Sequence, residues 1–290
     1  MKRIHLLRIG WVWRLFSLGL ILAIAGVPGG SGQAAGARLA AQTGIAPGWQ
    51  PSRPDTQWNF SNLSQHALQL SPISPNYPQI AYGGDHLYYN YQDAGGWHLN
   101  IVDNGWGVGS GAALALDASG KAHISYYDMV NGDLKYATNR WGSWSIDVVA
   151  SAGNVGRYSD IAIDYAGDPS IVYYNSTTLE LHYINYDSGY GDWTEDEVVA
   201  TGVHDIAHPG WFSLAMDPTA YKPHISYYDY TDSTHGTIEW AHYDNSSNWT
   251  HSSVESSCIP AATECKLGEY NSIALHPTTH QPAIAFSYYD

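Results

Sequence analysis

Ala122-His-Ile-Ser-Tyr-Tyr-Asp128 decides the fold, because the same run returns down the chain. Pro223-His-Ile-Ser-Tyr-Tyr-Asp229 repeats it almost unchanged, Pro169-Ser-Ile-Val-Tyr-Tyr-Asn175 keeps its pattern, and Ser287-Tyr-Tyr-Asp290 carries its end. A small apolar run precedes each copy: Leu114-Ala-Leu-Asp117, Ile161-Ala-Ile-Asp164, Leu214-Ala-Met-Asp217 and Ile273-Ala-Leu-His276. Ala67-Leu-Gln-Leu70 with Pro78-Gln-Ile-Ala-Tyr82 is a fainter copy upstream. Asp117, Asp164, Asp217 and His276 stand 47, 53 and 59 residues apart, the spacing of propeller blades with loop insertions.

Each unit reads as four short strands. The small apolar run is the first, and a turn such as Asp117-Ala-Ser-Gly120 follows it, with Asp and Gly supplying turn chemistry. The Ile-x-Tyr-Tyr run is the second, and Asn131-Gly132 marks a hairpin to the third. Leu134-Lys-Tyr136, Leu181-His-Tyr183 and Ile238-Glu-Trp240 are third strands. Fourth strands open on a Trp: Trp97 to Val102, Trp144 to Val149, Trp193 to Val199 and Trp249 to Val254. Beyond residue 37 no stretch shows a helical apolar period. The expectation is an all-β chain, a β-propeller of four-stranded antiparallel blades with about four and a half blades present. A sandwich would not require self-similar units.

From residue 64 to Asp290 the units resemble the secreted bacterial propeller repeats of the form S-x-A-x-D-x-x-G-x-P-H-I-S-Y-Y-D…L-x-Y-A. The resemblance implies kinship with six- and seven-bladed sialidase-like and lectin-like rings. It specifies the blade and not the activity, since propellers host enzymes, lectins and scaffolds alike. The chain stops after a second strand, which predicts an incomplete copy of a longer ring. Trp58-Asn-Phe-Ser-Asn-Leu63 reads as a lone fourth strand that could close it.

Lys2, Arg3, Arg8 and Arg14 precede the apolar run Leu15 to Val27, and small residues follow, with Ala35-Gly36-Ala37 as a cleavage site. Residues 1–37 therefore read as an export signal, 38–63 as a linker and 64–290 as the propeller repeats. Secretion, without membrane insertion after cleavage, is expected. Loss of the signal leaves 8 Lys/Arg (12 less these four) against 27 Asp/Glu, a formal charge of −19. Such a surface repels nucleic acid. No cofactor is expected; the acidity reads as solubility outside the cell, with attraction for cations such as Ca²⁺ as the competing role. Cys258 and Cys265, close together in an exported chain, are expected to form a disulfide. They offer too few ligands for a structural metal.

In a propeller the connections from strand four to the next strand one gather on one face with the two-to-three turns, where ligands usually sit. Here those connections are Asp103–Gly111, Ser151–Ser159, Thr201–Ser213 and Glu255–Ser272. Three end alike, in Gly156-Arg-Tyr158-Ser159, Gly210-Trp-Phe212-Ser213 and Gly268-Glu-Tyr270-Asn-Ser272. Arg157, Tyr158, His204, His208, Trp211, Glu269 and Tyr270 are thus the ligand-binding candidates, with blade packing as the competing role for the recurring aromatic. The Tyr-Tyr pairs read as packing residues, and the Asp or Asn after them as turn caps. His204 and His208 lack the Glu of an H-E-x-x-H metal motif.

A sialidase of the resembled kind needs three Arg around a carboxylate. Beyond residue 37 there are Arg38, Arg53, Arg140 and Arg157, two of them ahead of the first blade. Other glycoside hydrolases need two carboxylates across a cleft, which Asp160, Asp205, Glu264 and Glu269 could supply from the expected face. The leading expectation is a secreted, non-catalytic module binding carbohydrate. A structural or protein-binding propeller of a larger exported protein, and a polysaccharide-active hydrolase, are the alternatives.

Overall fold

The computed structural model describes residues 3–5, 67–194, 196–203, 211–230, 235–244, 248–255 and 265–289. β1 (Arg3–His5) precedes the repeats. Blade 1 is β2 (Leu68–Leu70), β3 (Pro78–Gly83), β4 (Leu87–Asp93) and β5 (Gly96–Asp103). Blade 2 is β6 (Val108–Leu116), β7 (Ala122–Asp128), β8 (Asp133–Thr138) and β9 (Ser145–Ala150). Blade 3 is β10 (Val155–Ile163), β11 (Pro169–Asn175), β12 (Glu180–Asp187), β13 (Asp192–Trp193) and β14 (Glu197–Thr201). Blade 4 is β15 (Phe212–Met216), β16 (Pro223–Tyr230), β17 (His235–Tyr243) and β18 (Trp249–Glu255). β19 (Cys265–Leu275) and β20 (Pro282–Tyr289) follow as an antiparallel pair, with β1 along the far edge of β20. Blades are antiparallel meanders, and a two-residue parallel bridge from β17 to β19 links the last pair to blade 4. Among the described residues there is no helix, hence none long and apolar enough to cross a membrane. The fold is the expected all-β propeller.

The apolar cores lie between successive blades. One cluster joins Leu87 and Tyr89 to Leu114 and Tyr126, a second joins Leu134 and Tyr136 to Ile161 and Tyr173. A third joins Val172 and Leu181 to Phe212 and Ile225, and the last joins Ile238 to Leu267 and Phe286. A sheet held between two neighbours is dry on both faces, so β7 and β11 are buried along their whole lengths. That is why Tyr126 with Tyr127, Tyr173 with Tyr174 and Tyr227 with Tyr228 are all buried. The second Tyr also tethers the next connection: Tyr127 donates to Asn154 Oδ1 at 2.7 Å and Tyr174 to the Val203 carbonyl at 2.9 Å. The recurring Trp packs edge-on against the preceding blade's third-strand Tyr, Trp144 on Tyr89 (5.1 Å), Trp193 on Tyr136 (5.1 Å) and Trp249 on Tyr183 (5.5 Å).

Turn caps form as read from the sequence. Asp117, Asp164 and Asp217 each accept backbone N–H bonds from the turn that follows. His276 does the same through Nδ1, accepting from Thr278 and Thr279. Asp128 and Asn175 cap the two-to-three turns.

Three readings are corrected. The fourth strand of blade 3 is broken between β13 and β14, where Thr194 binds back to Asn185 and Asp196 turns onto Tyr173 and His182. In the last pair Ile273 faces Ile284, which puts Phe286 and not Tyr288 at the first-Tyr position. Finally, much of the expected inter-blade loops is strand: β6, β10 and β19 begin at Val108, Val155 and Cys265 and carry register shifts. Glycine permits this, because Gly109, Gly156 and Gly268 have positive φ (91°, 81° and 96°). A bulge can then bend the strand tightly onto its neighbour. A Cβ on Gly156 would lie 2.7 Å from Leu134 Cα, and one on Gly268 2.7 Å from Ile238 Cβ. Cys258 lies outside the described residues, as do His204, His208, Asp205 and Glu264.

Candidate functional site

The expected face is largely spent on blade stacking. Trp211 is buried, its ring edge-on to Tyr228 at 4.8 Å, so it belongs to the core and is withdrawn from a ligand. Strand register matches Trp211 with Tyr158 and Tyr270, not with Arg157 as the Gly-x-aromatic pattern suggests. Tyr158 is half-buried against blade 4, with the Arg157 guanidinium 5.5 Å from its ring centre. Glu269 is half-buried and Tyr270 exposed. Arg157 and Tyr158 are therefore paired, but Trp211 does not join them on a surface.

Asp160 is likewise structural. It is buried, and its Oδ2 accepts the Leu214 N–H of blade 4 at 2.7 Å while Oδ1 accepts the Ile161 N–H at 2.9 Å. Ser213 has the equivalent role in blade 4, accepting from Ile273 N at 3.3 Å.

The cavity lies at the other end of the strands. In a four-stranded meander the one-to-two and three-to-four turns share the face opposite the inter-blade connections. There, between blades 3 and 4, a cavity of about 570 Å³ opens, within the size range of ligand pockets. Its walls come from the Asp164–Asp168 turn, the Asn185–Asp187 end of β12 with Ser188 after it, Thr194, Glu197, Tyr221 and Tyr243.

Hydrogen bonds fix these walls. Asp168 is the hub: its Oδ1 accepts from Arg140 Nη1 at 3.0 Å and its Oδ2 from Ser188 N at 3.1 Å. Burial opposes its charge, but Ser188 and the Arg140 guanidinium outweigh it and hold the carboxyl below its ordinary pKa. Asp164 has no such cation, and burial pushes its pKa up despite the N–H donors of its turn. Glu197 accepts from the Tyr243 hydroxyl and from Trp249 Nε1 at 2.9 Å, both neutral donors. Tyr221 and Tyr183 share a hydrogen bond of 2.9 Å between their hydroxyls. Burial drives the Tyr221 and Tyr243 phenols up, so both stay neutral. The cavity thus presents carboxylates, an amide, hydroxyls and phenol rings on a rigid frame. Among the described residues no group of three or more His, Cys, Asp or Glu is arranged to hold a metal.

No protein-family profile and no curated protein matches the sequence. Solved structures match in fold. AofleA from Arthrobotrys oligospora superposes with a TM-score of 0.50 at 16% identity, over 79% of this chain and 67% of that one. A protein of unknown function from Dyadobacter fermentans gives 0.48 at 13%, over 76% and 74%. An auxiliary nutrient binding protein from Bacteroides thetaiotaomicron gives 0.47 at 13%, over 79% and 53%. At 16% identity the likeness to AofleA speaks to the fold alone and leaves function to the site.

Sequence reasoning missed the cavity because its walls come from two blades, with Asp164 and Tyr243 nearly eighty positions apart. The available signal was non-recurrence. Tyr165 follows a turn Asp whose counterparts precede Ala118, Pro218 and, after His276, Pro277.

Proposed function

We propose that this chain is a secreted, non-catalytic β-propeller module that binds carbohydrate in the cavity between blades 3 and 4. The observation that carries the reading is the mixed wall of that cavity. Asp187, Asn185 and Ser188 offer polar atoms for sugar hydroxyls, while Tyr165, Tyr186 and Tyr221 offer ring surface for the apolar faces of a pyranose. Rigidity supports it too, because the Ser188 backbone held by Asp168 and the Glu197, Tyr221 and Tyr243 side chains held by hydrogen bonds need little further ordering when a ligand arrives. The basic, apolar and small-residue sequence of positions 1–37 supports export, and cleavage there would remove β1 from the outer edge of β20.

The test is a glycan array probed with the labelled full chain, beside a variant whose cavity mouth is filled. Ala166 is exposed and lines the cavity, so Ala166→Trp obstructs it without touching the core. Binding to a subset of glycans, lost in Ala166→Trp, is the expected result. Absence of glycan binding by the parent chain, or equal binding by the variant, overturns the proposal. Release of reducing sugar by the parent chain, abolished in Asp164→Asn, would replace the non-catalytic reading with a hydrolytic one.

A further inference from the structure

In a repeat protein, contacts that recur in every blade serve stacking. Exposed side chains that other blades do without are not required for it. Three aromatic residues on the cavity face are of this kind. Trp141 is 66% exposed, Tyr165 57% and Tyr190 90%. Trp141 and Tyr190 stand at the three-to-four turns of blades 2 and 3, where blade 1 has only Ala94-Gly95. Each such ring leaves apolar surface in water, for which blade packing offers no return.

These rings sit on turns joined by one carboxylate. Arg140, which precedes Trp141, binds Asp168 Oδ1, and Ser188, two residues before Tyr190, binds Asp168 Oδ2. Tyr165 belongs to the same turn as Asp168 and itself lines the cavity. Asp168 is only 5% exposed, so the three turns are pinned from beneath and the rings project from a fixed ridge.

We infer that the site takes an internal stretch of an uncharged polysaccharide chain, with successive sugars stacked along Trp141, Tyr165 and Tyr190, rather than one terminal sugar. This rests on the carbohydrate reading above. The ridge sets the length of the ligand and the cavity sets its charge. Asp164, Asp187 and Glu197 line the cavity, while the Arg140 guanidinium beside it is already engaged by Asp168. A uronate or sulfate chain would place anions against these carboxylates with no cation of the wall to meet them.

Affinity electrophoresis of the full chain in gels holding mixed-linkage β-glucan, xyloglucan, galactomannan or polygalacturonate tests the charge class. Calorimetry with the mono- to hexasaccharides of the retarding polymer tests the length. Retardation by a neutral polymer and not by polygalacturonate is expected. Affinity should climb with length, and Trp141→Ala and Tyr190→Ala should each remove roughly tenfold at the hexasaccharide. Both side chains are solvent-exposed, so unchanged melting temperatures will show that the variants fold. Affinity that is flat with length, or a hexasaccharide indifferent to the double variant, overturns the inference while leaving the cavity as a sugar site. Preference for polygalacturonate overturns the charge assignment. Failure of the parent chain on every glycan, on the array as in the gels, is a different result and sinks the carbohydrate reading itself.

Discussion

Gly156→Ala measures how tightly the blades interlock. Gly156 has φ of 81°, and a Cβ there would lie 2.7 Å from Leu134 Cα, 2.7 Å from Leu134 Cβ and 2.8 Å from Leu134 Cδ1. Leu134 is fully buried and its backbone is fixed in β8, so the contact cannot be relieved by a rotamer change. Two costs add. An L-residue in the left-handed region costs about 1–2 kcal/mol, and forcing an extra methyl into a packed core costs about 1–3 kcal/mol. Gly142→Ala separates them, because Gly142 has φ of 93° but nothing within 4 Å of its missing Cβ. It should therefore lose only the backbone contribution. Urea unfolding followed by Trp fluorescence gives both values. Hydrogen exchange at the β8 and β10 amides localises the loss, since repeat units exchange stability mainly with their neighbours. Equal destabilisation by the two variants would refute the interlock.

Asp160→Ala strands the Leu214 N–H in the core and should cost about 1.5–3 kcal/mol in urea unfolding, while Asp160→Asn keeps an acceptor and should cost far less; an Ala variant as stable as the parent would remove the residue from the frame. His123 and His224 are pushed down to about 4, His123 by burial and His224 by burial with His242 beside it. A base whose pKa falls on folding leaves the unfolded chain binding more protons between about 4 and 6.5, so this stability is complete above about 6.5 and drains toward pH 4, by roughly 3 kcal/mol for each. His224→Phe keeps the parallel stack on Trp240 (5.7 Å) and removes that titration. The loss of stability on acidification should shrink accordingly, and an unchanged pH profile would contradict the assignment.

The blade was legible because its signals are local and repeat. Tyr pairs, late Trp residues and turn Asp residues each do one job within a strand or turn, and do it again some fifty positions later. Register was less legible. Ser287-Tyr-Tyr-Asp290 matches the motif by eye, but Ile284 opposite Ile273 fixes the pairing, and two extra residues between Ile284 and Tyr288 leave Phe286 in the first-Tyr position. The site was the least legible. Propeller topology places loops between the blades, yet Gly109, Gly156 and Gly268 serve bulged strands pressed onto the preceding blade. That close packing is what takes Trp211 out of contention, and no local pattern announces a cavity assembled from the turns of two blades.

The same interfaces show why a repeat can carry a site that does not itself repeat. Where strand two of one blade meets strand one of the next, the equivalent pair is Ala81 with Ala112, then Ser125 with Ser159, then Val172 with Phe212, then Ser226 with Asn271. Ser125 and Ser159 share a hydrogen bond of 2.9 Å and Ser226 donates to Asn271 at 2.6 Å, whereas the first and third pairs are apolar. Apolar and hydrogen-bonded interfaces alternate, so exchanging neighbouring blades 2 and 3 would set Ser159 against Ala81 and Ser125 against Phe212, leaving buried hydroxyls unsatisfied. Neighbouring blades are thereby kept in order, although the blades look alike. A fixed order makes Trp141 of blade 2, Tyr190 of blade 3 and Tyr221 of blade 4 dependable neighbours through the interfaces beneath them. The cavity between blades 3 and 4 can then hold a lining that the other blade junctions do not share.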